Sequence, residues 1–368
     1  MLQKISYNLG IAVISRFIVG AIGLVIIGLL TRSLGPAGYG YYNLIFAYLF
    51  IFSSIADLGL YTILVREISK VGPDEESIIA SKIFTLRLSF AISILVLAGL
   101  LVFTLPYPSV VKLGVIIASA FSVLSSLTQV LTGIFQKHLR LYFVSLADII
   151  SRIIQLALLI VLVYLKAGLL LFVGAVVFSE VAHFLLIFLF SRSFIRVRIS
   201  VDFKYWKEIL KTALPVAASL VFVLLYFKLD TVLLSLIKPA YDVGVYSVAY
   251  KILEAVIFLP AIYIGLIMPL LSKYAFSNRP EFIKTFRKAF NALSVFALPF
   301  AAYLFVLSDP IVRLIGGSGF IQSGPVLKIL SIAVLLIFFG NLGGNAVIAL
   351  NLQKKGMWIY LTGAVFNI

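Results

Sequence analysis

Leu9–Leu30 reads LGIAVISRFIVGAIGLVIIGLL, 22 residues holding a single charge, Arg16. A helix rises about 1.5 Å per residue, so a run of this length crosses a hydrocarbon core about 30 Å thick. It is longer than the apolar centre of a secretory signal, about 7–15 residues, and it carries an internal arginine, so it reads as a membrane helix and not as a cleaved leader. Outward from this stretch, apolar runs of the same kind follow one another. They predict membrane helices at about 8–30, 41–64, 86–105, 113–135, 142–165, 169–191, 212–236, 244–271, 289–308 and 326–350. An eleventh begins near Met357 but has only twelve residues before Ile368, too few to span.

Composition agrees with this reading. Of 368 residues, 62% are hydrophobic and 12% charged, whereas soluble domains carry roughly a quarter charged residues. The chain is predicted to be all-α and polytopic. Absence of cysteine excludes disulfides, thiolate metal sites and cysteine nucleophiles. A formal charge of +16 would suggest nucleic acid if the basic residues shared one face. They fall instead in every second connection: 19 Lys and Arg after the even-numbered helices against 5 after the odd-numbered ones. That is a topology signal, placing the N-terminus and the even-numbered loops in the cytoplasm, and nucleic acid is not an expected partner. The longest connection, Ser191 to Lys211, has no room for a soluble catalytic or nucleotide-binding domain. Its Arg and Lys residues alternate with Phe194, Ile195, Val197, Phe203 and Trp206, so it is expected to lie on the anionic cytoplasmic leaflet, with a solvated linker as the other reading.

The chain repeats itself. Pro36-Ala37-Gly38-Tyr39-Gly40-Tyr41-Tyr42, after helix one, resembles Pro239-Ala240-Tyr241-Asp242-Val243-Gly244-Val245-Tyr246, after helix seven. An offset of about 204 residues maps helix one onto seven and two onto eight. Six helices per unit is an even number, so both units enter from the same side and are expected to be related by an axis along the membrane normal. The expected division is a six-helix lobe at 1–197 and a second, incomplete lobe at 198–368.

Several segments together resemble a known family: Ala56-Asp57-Leu58-Gly59-Leu60 with Val65-Arg66-Glu67-Ile68-Ser69, Leu30-Thr31-Arg32-Ser33-Leu34-Gly35-Pro36, Lys228-Leu229-Asp230-Thr231-Val232-Leu233-Leu234-Ser235, and Gly244-Val245-Tyr246-Ser247-Val248-Ala249-Tyr250-Lys251. They are similar to the polysaccharide transporter branch of the multidrug, oligosaccharidyl-lipid and polysaccharide exporter superfamily. The resemblance implies a flippase for polyprenyl-diphosphate-linked oligosaccharides, built as two six-helix lobes around a central cavity lined largely by helices one, two, seven and eight. By that standard the second lobe reads as truncated, lacking helix twelve and most of helix eleven.

Independently of any family, ionisable residues inside spans are informative, because each costs at least about 2.5–3.5 kcal/mol near the bilayer centre unless paired or hydrated. Arg16, Asp57, Asp148, Arg152, Glu180, Lys228, Asp230, Lys251 and Glu254 qualify. Asp148 and Arg152, four apart on helix five, are expected to form a structural ion pair. Glu180 and His183 are three apart, but a bundle metal site needs further inward carboxylates and a second such motif, so a hydrogen-bonded packing role is expected and no metal. Lys251 and Glu254 are spaced to pair or to line a cavity. Lys228 and Asp230 lie about 200° apart around their helix and cannot share a face. Arg16 either snorkels to the headgroups or serves as the partner of Asp57, whose short stem cannot reach water. Prolines 215, 260, 269 and 299 are candidate kinks or simple shape features. Gly316-Gly317-Ser318-Gly319 lacks the Lys and Ser/Thr of a phosphate loop and reads as a turn.

With the resemblance, Arg16, Lys228 and Lys251 are expected to bind the diphosphate, since Arg and Lys give phosphates charge-assisted hydrogen bonds. Asp57, Asp230 and Glu254 are expected to balance those cations or to carry a coupling proton or sodium; no other cofactor is implied. Membrane lipids and polysaccharide assembly enzymes are the further partners implied. A drug or small-cation exporter of the same superfamily remains open, as do a membrane-embedded transferase, disfavoured because His138 and His183 are the only histidines, and a non-transporting scaffold. The orientation is directly testable in this cysteine-free chain. Single cysteines at Ser193 and Ser318 should differ toward an impermeant thiol reagent in intact cells, with only the second labelled; labelling of the first alone would invert the topology.

Overall fold

The computed structural model describes the backbone of residues 2–57, 59–352 and 362, and their side chains except at 2–9, 12, 73–74, 212, 214–228 and 258. Eleven α-helices are formed among the described residues: α1 Leu2–Asp57, α2 Leu60–Ile68, α3 Pro73–Leu101, α4 Ser109–Lys137, α5 Tyr142–Tyr164, α6 Leu169–Ser191, α7 Phe203–Ile237, α8 Ala240–Ser277, α9 Arg279–Val306, α10 Ser308–Gly316 and α11 Ser323–Ala349. Eight described segments are long and apolar enough to cross a membrane.

Three helices begin earlier than hydropathy predicts: α3 at Pro73 instead of 86, α7 at Phe203 instead of 212, and α9 at Arg279 instead of 289. Hydropathy detects only the part of a helix that meets lipid. These helices extend beyond the apolar run on stems rich in Glu, Lys and Arg; α3 starts at Pro73 after Gly72, and α7 and α9 start at side-chain caps. Asp202 accepts from the Tyr205 amide at 3.0 Å, and Asn278 from the Glu281 amide at 3.2 Å. Helices one and two are likewise a single element, α1, bent where Gly35 adopts φ 63 and ψ 178 ahead of Pro36. Only a residue without Cβ takes that φ at no steric cost.

By packing, the chain divides into Met1–Ala240 and Tyr241–Ile368. The division by packing does not fall at the lobe boundary of 197 expected from the repeat. In the first unit α4 is central, packing against α6, α1, α3 and α2. Gly114 of α4 makes the closest approach possible, because a Cβ there would stand 2.3 Å from Ile45 Cδ1 of α1. One apolar cluster surrounds Leu60, Ile83, Leu131, Phe135 and Ile187; a second surrounds Ile45, Leu49, Val102, Val115 and Val173. The end of α7 belongs to this unit, with Tyr107 Oη 2.8 Å from Ser235 Oγ.

The segment between α6 and α7 runs extended along α3. Ser77 Oγ donates to Arg196 O at 2.6 Å, the Arg198 amide donates to Ser81 Oγ at 2.9 Å, and the Ser200 amide donates to Thr85 Oγ1 at 2.9 Å. The match of periods is physical: four residues of helix rise about 6 Å and two residues of extended chain about 6.6 Å, so hydroxyls four apart meet backbone groups two apart. Trp206 Nε1 donates to Lys82 O at 3.0 Å, and Lys82 Nζ pairs with Asp202 Oδ2 at 2.7 Å.

In the second unit α9 packs on α11, Ser323 Oγ donates to Val245 O of α8 at 2.7 Å, and Lys328 pairs with Asp309 at 3.0 Å. The glycine-rich turn forms around Gly317, at φ 82. The two Pro-Ala segments hold the same structural place: α8 begins at Ala240 immediately after Pro239, as the second limb of α1 begins at Pro36-Ala37 after Gly35.

The Asp202 carboxyl is held below the usual carboxylate range, chiefly by its hydrogen bond from Lys82 and then by that from the Tyr205 amide. A depressed carboxyl stabilises the fold above its unfolded pKa, and the contribution is lost as pH falls through the folded value. After correction for intrinsic rates, amide exchange in 194–206 should therefore quicken as pH drops below about 4. In Thr85→Val the Ser200 amide loses its acceptor, a cost of about 1 kcal/mol, and should exchange several-fold faster at neutral pH. Unchanged exchange at Ser200 would show that the ladder does not hold the segment.

Candidate functional site

The second limb of α1 ends at Asp57, and α2 starts again at Leu60 after Gly59 at φ 65. A helix that stops inside a bilayer leaves carbonyls that water cannot reach, and such breaks persist only where protein satisfies them. Here Arg87 of α3 does so. Its side chain is 2% exposed. Nη1 donates to Ala56 O at 3.2 Å and also to both Asp57 O and Asp57 Oδ1, Nε donates to Ser126 Oγ at 2.5 Å, and Nη2 to Gln129 Oε1 at 3.3 Å. The guanidinium thus caps the negative end of one helix and neutralises the carboxylate at the break. It ties α1 to both α3 and α4.

Two expectations are corrected here. Asp57 pairs with Arg87, not with Arg16, because the planar fork of Arg87 reaches the carboxylate and the free carbonyls together. Arg16 is exposed and makes no hydrogen bond or ion pair with the described residues. Arg87 is also not a loop residue: it lies fourteen positions into α3, and the topology bias survives its removal from the count.

Asp148 and Arg152 do not form the expected pair among the described residues. Asp148 turns from α5 to α6, where His183 Nε2 lies 3.1 Å from Oδ1, near enough to pair though off the axis of a hydrogen bond. Arg152 donates to Gln155 Oε1 at 2.8 Å, one turn along its own helix. The short Asp148 stem points across the α5–α6 contact, so the neighbouring ring outcompetes the arginine one turn away. His183 Nδ1 is 3.6 Å from Glu180 Oε1, which also accepts from Thr128 Oγ1 at 3.4 Å. No group of three or more such side chains among the described residues is placed to hold a metal ion.

In the second unit Lys251 Nζ and Glu254 Oε2 pair at 2.7 Å and stay partly exposed, at 35% and 29%. Asp230 of α7, half-buried, accepts from the Thr231 amide at 2.6 Å. The Lys228 side chain lies outside the described residues. Glu76, in the first turn of α3, is buried between two groups at the end of α4: Lys137, which also donates to the last carbonyl of α2 at Ile68, and His138 at 3.1 Å. Sequence reasoning missed Arg87 and Glu76 as site members, and it read His183 beside Glu180 but not beside Asp148. For Arg87 a signal existed in the hydroxyls at 77, 81, 85, 89 and 93, which mark one polar stripe on α3 and carry the helix past the arginine.

The family described as "Polysaccharide biosynthesis protein" matches residues 5–275, and MatE matches residues 215–368. Solved structures share the fold. An inward-facing multidrug resistance MATE family transporter of the MOP superfamily aligns with TM-score 0.76 and 16% identity over 95% of this chain and 84% of that one. Lipid II flippase MurJ in an inward closed conformation aligns with TM-score 0.80 and 14% identity over 96% of this chain and 78% of that one. A MOP superfamily transporter from Pyrococcus furiosus aligns with TM-score 0.65 and 16% identity over 96% and 84%. No curated protein matches in sequence. At these identities the structural likeness concerns the fold alone.

Arg87→Ala leaves the Asp57 carboxylate and the carbonyls at the break without their partner, a loss of about 3–5 kcal/mol for a broken buried pair. Folded protein recovered in detergent should fall sharply. Asp57→Asn added to Arg87→Ala should restore part of it, because the two losses share one interaction and are not additive. Wild-type thermal stability of Arg87→Ala would contradict this role.

Proposed function

The chain belongs to the polysaccharide biosynthesis protein family, and on that premise we propose that it moves a polyprenyl-diphosphate-linked oligosaccharide from the cytoplasmic to the outer leaflet by alternating access. The supporting observation is Arg16, an exposed guanidinium within a segment apolar enough to cross the membrane. Exposure to hydrocarbon would be costly, so the group needs water or an anion beside it. A diphosphate supplies that anion. Arg16, Lys228 and Lys251 bind the headgroup in this reading while the polyprenyl tail stays in the bilayer, and a bidentate guanidinium fits two phosphate oxygens better than an ammonium does. Glu254 balances Lys251 when the site is empty, and Asp230 or Glu254 is the carrier of a coupling proton or sodium. Asp57 is withdrawn from that role by its tie to Arg87 at the break of helix two.

The second reading, export of cationic drugs, draws on the MatE match and on the fold shared with multidrug transporters. It calls for carboxylates without balancing cations. Asp57 is paired with Arg87 and Glu254 with Lys251. That favours an anionic substrate.

Proteoliposomes holding the full chain and a diphosphate-linked oligosaccharide test the proposal through the exposure of the sugar to an impermeant glycosidase. Arg16→Ala and Lys251→Ala should each lower the transport rate at least about tenfold, the loss of roughly one charge-assisted hydrogen bond, with insertion and thermal stability unchanged. Arg16→Lys should lie between. Normal transport by both alanine variants would remove the phosphate-binding role.

A further inference from the structure

Inside the spans, exposed apolar side chains are met by lipid tails. Between spans the same exposure needs another explanation, and the segment joining α6 to α7 shows it three times in alternation: Ile199 at 67%, Val201 at 58% and Phe203 at 76%. The basic side chains of Arg192, Arg196, Arg198, Lys204 and Lys207 are exposed in the same stretch. From 192 to 211 there are six basic residues against two acidic ones, and one of the acids, Asp202, is already paired with Lys82.

The presentation is built, not incidental. Phe194 is anchored at the start of the segment in an aromatic cluster with Phe135, Phe143 and His138, at centroid distances of 5.7, 6.0 and 5.2 Å. Ile195 is 3% exposed. The hydroxyls of α3 then take the backbone at Arg196, Arg198 and Ser200, and Lys82 takes Asp202 and Trp206. Because the backbone polar groups are spent on α3, the guanidinium groups of Arg196 and Arg198 stay outward. Protruding apolar residues set among cations, on an already ordered segment, match the chemistry of an anionic bilayer surface, in which phosphates meet the cations and the acyl boundary receives the apolar tips. A soluble acidic partner would leave Ile199, Val201 and Phe203 without an apolar counterpart.

We infer that residues 192–207 form an anionic-lipid docking strap, held rigid on α3, that binds the phosphate headgroups of the adjoining leaflet through Arg196 and Arg198 and inserts Ile199, Val201 and Phe203 at its acyl boundary. This does not depend on which substrate the protein carries.

Trp206 lies within the strap, its ring 5.3 Å from that of Phe203, and the only other tryptophan is Trp358. The full chain with Trp358→Phe, reconstituted in phosphatidylcholine nanodiscs, therefore carries one fluorophore at the proposed contact. A minority of bromine-tailed phosphatidylglycerol should quench Trp206 more than the same fraction of bromine-tailed phosphatidylcholine does, and salt should weaken the preference. A cation near an anionic surface contributes about fivefold in binding, so Arg196→Gln with Arg198→Gln should lower the preference roughly 20-fold, while Arg196→Lys with Arg198→Lys keeps it. Both pairs are exposed substitutions, and the lysine pair separates charge from any effect on folding. Equal quenching by the two lipids, no quenching by either, or a preference untouched in the glutamine variant would each overturn the inference.

Discussion

Backbone carbonyls cannot be left open inside a bilayer, and the helix that stops at Asp57 leaves them in the middle of the first lobe. Arg87 answers that constraint, and much of the lobe is arranged around the answer. The arginine must be buried to reach the break, so it must be paired, and Asp57 lies at the helix end where the pair forms. It needs further acceptors for its remaining N–H groups, and α4 provides Ser126 and Gln129. The charge cluster at 57 and 87 is thus structural in origin.

The same α3 that carries Arg87 carries the hydroxyl ladder on which the connecting segment lies. Ser77, Ser81 and Thr85 hold the strap, Lys82 holds its end, and Arg87 begins the intramembrane network two residues past Thr85. One helix therefore joins the solvent-side packing of the first unit to its buried polar core. Replacing α3 hydroxyls would loosen the strap without touching the break, so the two functions of the helix are separable by mutation.

The architecture is legible because hydropathy and the 3.6-residue period report what lipid requires: most spans and the Pro-Ala repeat can be read off as strings, whereas the run of the 191–211 connection along α3 cannot. Local charge spacing was less reliable. Lys251 and Glu254 pair as their three-residue spacing suggests. Asp148 did not pair with Arg152, because a partner from another helix, His183, was nearer, and such a partner is invisible to spacing along one helix. Arg87 is hidden from sequence for a related reason. Hydropathy puts it at the edge of a span, whereas Pro73 starts the helix thirteen residues before the predicted 86 and carries the arginine inward. Only the polar stripe of serines and threonines on α3 hinted at that continuation.

We propose that the intramembrane cations serve an anionic, lipid-linked substrate. Asp57 and Glu254 are each met by a basic group and Arg16 is left exposed, an arrangement that suits a diphosphate better than a cationic drug. A side-by-side flux measurement on the unmodified chain addresses this directly: one set of proteoliposomes loaded with a polyprenyl-diphosphate oligosaccharide, a second with a cationic dye. Protein-dependent appearance of the sugar on the opposite leaflet and no protein-dependent movement of the dye are expected; dye flux with the oligosaccharide immobile would contradict the proposal.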